Sequence, residues 1–178
     1  MKDIELKLIS ELMKNSRRSD RELAKVLGVS QPTVSRLIKK LEKDGTIKEY
    51  TMIPDFRRLG INLFVVTFAR HSKQLDPKEL DEVTKMGIER ARQENSPETI
   101  MAERGIGLGY GSVILSYEKD YSSYLNLIER LRNFQHLDLG NIQSFLIDLN
   151  DPVHFRYLTF TTLAKYIWDS GSLKQRAE

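Results

Sequence analysis

Residues 20–39, DRELAKVLGVSQPTVSRLIK, constrain the fold of this chain more than any other stretch. Leu23, Leu27, Val29, Val34 and Leu37 are apolar where two steeply crossed short helices must bury side chains, and Ala24 is small enough for close approach. Gly28 can end the first helix in the left-handed backbone region without a Cβ clash. Ser19 and Glu22 have the spacing of a capping box, and Ser30 is an N-cap for the second helix. Pro32 falls in the first turn of that helix, where amide hydrogens lack helical partners in any case. The stretch therefore predicts a helix-turn-helix.

A plain helical hairpin would also carry a turn glycine and an apolar stripe. The outward side chains of the second helix separate the two readings: Gln31, Thr33, Ser35, Arg36, Lys39 and Lys40. Gln and Arg form paired hydrogen bonds with adenine and guanine edges, while Ser, Thr and Lys suit phosphate contacts. Ser30, Gln31, Thr33, Ser35 and Arg36 are expected to read or fix a site on double-stranded DNA, with Arg21, Lys39 and Lys40 on phosphates.

Charge supports a polyanionic partner. Residues 1–50 hold 12 Lys and Arg against 8 Asp and Glu, a net of +4, and the remainder is 16 against 17, a net of −1. With 178 residues, 40% hydrophobic and 30% charged, the chain fits one or two globular domains. No apolar run is long enough to span a bilayer, and the N-terminus does not read as a signal peptide. Zero cysteines exclude disulfides and thiolate metal sites, which fits a cytoplasmic protein.

Along the chain, a first helix is predicted over Asp3–Lys14, with Ile4, Leu8, Ile9, Leu12 and Met13 on one face. The second helix of the motif should stop near Asp44–Gly45, and residues 46–53 have the alternation of a short wing strand. Residues 1–53 thus form a winged helix-turn-helix domain and 54–60 a connector, whose Arg57 and Arg58 either track a DNA backbone or are merely solvated. Residues 61–178 form the second domain. Strands are predicted at 61–70, 99–106, 113–117 and 142–149, and helices at 77–93 and 121–133. The apolar faces expected are Leu80, Val83, Ile88 and Ala91, then Tyr124, Leu125, Ile128 and Leu131. The order β-α-β-β-α-β is the ferredoxin-like plan, making the whole chain α+β. An additional helix over 153–168, capped by Asp151, should pack its aromatic side on the domain or on a partner chain.

The segment DIELKLI followed by SDRELAKVLGVSQPTVSRLIKKLEKDGTIKEYT closely resembles the Lrp/AsnC family of prokaryotic transcription regulators. The resemblance covers residues 3–70, including DGTIKEY and the Arg58-Leu59-Gly60 that follows it. It implies a C-terminal ferredoxin-like module that dimerises and often senses an amino acid, so homodimers or higher even oligomers and a small-molecule effector are implied. In the family, the hairpin between the second and third strands usually carries Gly then Asp near the effector pocket; here residues 104–112 contain no acidic residue.

The glycine-rich stretch holding Arg104, Gly105, Gly107, Gly109, Tyr110 and Gly111 has a strand on each side. A hairpin turn or bulge therefore suits it better than a phosphate-binding loop, with an effector- or dimer-contact loop as the other reading. Glu103 and Arg104 could line a pocket or form a strand-end salt bridge. His71, His136 and His154 lack metal-ligand spacing, and no nucleophile or cofactor loop is readable, so neither metal, cofactor nor enzymatic activity is expected. The reading is a sequence-specific DNA-binding regulator acting as a dimer; an architectural DNA-coating protein is the alternative, and a DNA-tethered small-molecule enzyme ranks last.

Overall fold

The computed structural model describes residues 2–70, 75–93, 97–133 and 141–175 and divides into two compact units. One joins Met1–Pro54 to His154–Glu178; the other is Asp55–Val153. Expected positions His71 and His136 lie outside the described residues.

In the first unit, helices α1 (Asp3–Lys14), α2 (Asp20–Leu27) and α3 (Gln31–Lys43) form as their end signals dictate. The Ser19 hydroxyl accepts from Glu22 N at 3.3 Å while the Glu22 carboxylate accepts from Ser19 N at 2.8 Å, a complete capping box. Gly28 ends α2 at φ 71°. Leu8, Leu12, Leu23, Ala24, Val34 and Leu41 form the core, with Leu27, Val29, Leu37 and Ile47 packed partly buried around it.

Residues 46–53 form no paired strand, contrary to the expected wing. The Asp44 carboxylate takes Thr46 N at 3.0 Å, and Ile47 N donates to Leu41 O at 2.9 Å, turning Ile47 into the core. The Tyr50 hydroxyl then donates to Glu42 at 3.0 Å. A strand needs a neighbour to satisfy its ladder, and this unit supplies none among the described residues.

The last helix, α6 (Thr161–Gln175), starts eight residues later than expected and belongs to this first unit, not to the second domain. Asp151 accepts from Val153 N at 2.7 Å, but no helix follows. The intervening residues 153–160 are rich in aromatic side chains, which lose rotamer freedom in a helix. The covered face of α6 is Ala164 with the half-buried Ile167 and Trp168, while Leu163 and Tyr166 are exposed. Ala164 is 0% exposed and its carbonyl accepts from the hydroxyl of Ser10, itself 1% exposed, at 2.9 Å. Ser10 lies about 200° around α1 from Leu8, so α1 is covered on two opposite sides: by its own core and by the returning chain.

In the second unit, the connector closes as a short 3-10 helix, Phe56–Leu59, in which Asp55 holds Arg57 through two 3.0 Å bonds and lies 3.6 Å from Arg58. Strands β1 (Leu63–Ala69), β2 (Thr99–Gly107), β3 (Tyr110–Glu118) and β4 (Gln143–Asp148) form an antiparallel sheet in the order β2-β3-β1-β4. Helices α4 (Pro77–Gln93) and α5 (Tyr121–Arg132) complete the expected ferredoxin-like order.

Because side chains alternate along a strand, the two faces of this sheet differ. Val65, Thr67 and Ala69 of β1 are buried on the helix side, together with Val83 of α4 and Leu127 and Ile128 of α5. The inward stripe of α5 thus contains Leu127 where Leu125 was expected, and Ile88 of α4 is exposed; the side chain of Ala91 lies outside the described residues. Opposite-facing Phe64, Val66 and Phe68 pair with Tyr117, Leu115 and Val113 on one side and Ile147, Phe145 and Gln143 on the other. Phe56 stacks on Tyr117 at 4.0 Å, covering one corner of this apolar face, while Phe145 remains 66% exposed.

Candidate nucleic-acid interface

The candidate surface is built on α3 and its N-cap. Ser30 Oγ accepts from Thr33 N at 3.4 Å and lies 2.9 Å from Thr33 Oγ1, so these two hydroxyls fix the helix start. Beyond them, Gln31, Arg36 and Lys39 are exposed and Ser35 is half-buried. Arg21, on the first turn of α2, is exposed as well. Arg21, Arg36 and Lys39 make no ion pair among the described residues. The result is a polar edge with unspent donors, the chemistry that base edges and phosphates accept.

Lys40 departs from the expectation. Its Nζ lies 2.6 Å from Oε1 of Glu5, a residue of α1 that is only 4% exposed. Glu5 Oε2 also accepts from the backbone N of Lys2 at 3.0 Å. The hydrogen bond from Lys40, with that from Lys2, holds the Glu5 carboxyl below its usual range, and the same bond holds Lys40 above its own. A second buried carboxylate of α1, Glu11, pairs with Lys14 and Arg18. Sequence reasoning singles out neither carboxylate. The signal that could have found them is position: Glu5 shares the face of α1 with Leu8 and Leu12, and an acid on an apolar face implies an internal cation.

The glycine-rich stretch is a tight hairpin. Its two-residue turn, Leu108 and Gly109, has φ 53° and 77°, the left-handed pair that matches the twist of the flanking strands. The register shifts between Arg104 and Gly107, a bulge accommodating Gly105. Arg70 Nε donates to Gly109 O at 2.7 Å, and its guanidinium carbon lies 5.3 Å from the ring centre of Tyr110. Arg104 donates to Thr84 Oγ1 at 3.3 Å and makes no salt bridge with Glu103, since neighbouring strand residues face opposite ways. Gly111 lies on β3 beyond the turn. His154 packs its ring 4.4 Å from that of Tyr157, and no metal-holding cluster occurs among the described residues. No described helix is long and apolar enough to cross a membrane.

Residues 1–48 match the family model described as winged helix-turn-helix DNA-binding. The HTH-type transcriptional regulator PH0061 of Pyrococcus horikoshii is 30% identical over 140 residues, which is 76% of this chain and 88% of that protein. Its crystal structure aligns with a TM-score of 0.68 at 25% identity, covering 89% of this chain and 98% of the other. The HTH-type transcriptional regulator LrpC of Bacillus subtilis is 43% identical over 58 residues, 33% of this chain and 40% of that protein. An AsnC family transcriptional regulator from Agrobacterium tumefaciens shares the fold, with a TM-score of 0.68 at 19% identity over 92% of this chain and 99% of that one. The helix-turn-helix, the ferredoxin-like sheet and these relatives converge, and the chain belongs to the Lrp/AsnC family of transcription regulators.

Proposed function

We propose that this regulator recognises a discrete DNA sequence as a homodimer, or as an assembly of dimers, in the cytoplasm. The observation that carries the reading is the exposed edge of α3, where Gln31 and Arg36 stand exposed beside the cation Lys39. A helix in the major groove presents such side chains to base edges, with Arg21 and Lys39 on the flanking phosphates. Ser35 is close enough to the same edge to add a contact, whereas Ser30 and Thr33 fix the helix N-terminus. A dimer formed through the apolar sheet face would supply two recognition helices, and successive major grooves on one side of a duplex lie about 34 Å apart.

Selecting bound fragments from a random DNA pool, followed by footprinting, tests this reading. Protection of a discrete two-fold site supports it; continuous protection of any fragment supports DNA coating instead. Arg36→Ala is expected to weaken binding to the selected site by about 1–3 kcal/mol and to relax base preference at one position. An unchanged footprint and affinity would remove Arg36 from the readout.

A further inference from the structure

The cations of the recognition helix fall into two groups. Arg36 and Lys39 are exposed and without an ion pair among the described residues, while Lys40 spans the gap to α1 and ends on Glu5. Glu5 is held from its other side by the Lys2 amide, and its side chain is 5% exposed against 57% for that of Lys40. The carboxylate therefore has little access to water. Moving Lys40 onto a phosphate would leave that carboxylate with a single backbone donor, a poor exchange for a charge so nearly enclosed.

We propose that Glu5 is a positioning residue for DNA binding: it holds Lys40 as a strut between α1 and α3 and withdraws it from the cations that neutralise phosphate. This inference rests on the DNA-binding reading above and makes the opposite prediction for Lys40 from the one its sequence position suggests. A cation on a phosphate adds about 0.9 to the slope of log affinity against log salt, whatever the DNA sequence. In the native protein Lys40 contributes nothing to that slope. Freed from Glu5, it would contribute in full.

The test measures affinity for a random-sequence duplex and for the selected site between about 50 and 200 mM salt, the range over which phosphate contacts are most visible. The full chain is compared with Glu5→Gln, Lys40→Ala and the double variant. Glu5→Gln keeps the side-chain volume and the acceptor for the Lys2 amide. It should steepen the slope by about 0.9 per protomer, hence about 1.8 for a bound dimer, and tighten both duplexes by a similar factor, because phosphate contacts carry no sequence information. Lys40→Ala should leave the slope at its native value, and the double variant should return to that value. A slope lowered by about 0.9 per protomer, about 1.8 for a dimer, in Lys40→Ala would overturn the proposal, since Lys40 would already be on a phosphate. So would a native slope in folded Glu5→Gln. Should Glu5→Gln not fold, Lys40→Ala decides alone. Failure of the native chain to bind any duplex would instead sink the DNA-binding reading itself, and the role of Glu5 with it.

Discussion

The two units treat their apolar surface in opposite ways. In the first, the chain returns after 99 residues of the other unit to cover the outer stripe of α1, with a buried serine hydroxyl on a buried carbonyl. In the second, the helices cover one face of the sheet, and Phe64, Val66, Leu115, Phe145 and Ile147 line the other. A helix bundle can be finished by one more helix of the same chain. A four-stranded sheet with helices on one side leaves a broad flat face, and a second copy is the simplest complementary cover. In the dimer proposed above, recognition would be assembled within a chain, whereas pairing would be left to the sheet.

Phe145→Glu attacks this contrast with the largest expected effect. Buried in a dimer, the new carboxylate would lack a partner, so the dissociation constant should rise by at least about 100-fold, while circular dichroism stays native because Phe145 is exposed in the single chain. Sedimentation equilibrium reads the result. A dimer of unchanged affinity would mean that the open face is not the interface.

Ala164→Leu probes the helical unit in turn. The added methylenes have no room against Ser10, and overpacking of this kind costs about 1–3 kcal/mol. The expected result is faster amide exchange in α1 and α6, with exchange in the sheet unaltered. If α1 exchanges as in the native chain, the returning helix does not stabilise it.

The weakest effect is a divergence in pH response. In the first unit, Glu5, Glu11, Glu22 and Asp44 are all held below their usual range, three of them chiefly by hydrogen bonds and Glu11 by its lysine and arginine against the opposing effect of burial. Their folded forms are favoured when ionised, so this stability is present above the ordinary carboxylate range and is lost as pH falls through the lowered values. In the second unit, Asp55 and Asp120 are lowered in the same way, but Glu118 is 2% exposed with Oε1 unpartnered among the described residues, and burial, assisted by the charge of Asp120, pushes its carboxyl up. Its cost to stability is absent below the ordinary value of 4.5 and grows as pH rises above it, toward the raised folded value. Glu118→Gln should remove that growth, so thermal melts at neutral pH should rise above the native protein and converge with it in acid. Parallel melting profiles from acid to neutral pH would show that Glu118 is not the source.

Elements whose signals are local are legible in the amino-acid sequence alone. Ser19 with Glu22, Gly28, Ser30 and Gly45 set the helix ends within two or three residues, and Leu23 and Val34 are buried as the apolar spacing requires. The strand order also follows from β-α-β-β-α-β. The misses are of another kind. Leu125 and Ile88 sit near the edge of an apolar stripe, where periodicity alone does not choose between inward and outward. The wing alternation of residues 46–53 has no partner strand among the described residues, and the aromatic run 153–160 carries a helical periodicity that its poor helix propensity overrides.

The helix-turn-helix, its exposed polar edge and the ferredoxin-like plan were written in the order of residues, because caps, turns and periodicity act between positions a few apart. Packing alone established that Ser10 meets Ala164, that α6 belongs with α1, and that Lys40 is bound to Glu5 and not free. Those contacts join residues 154 and 35 positions apart, and a pair so distant becomes visible only when the folded chain brings it together.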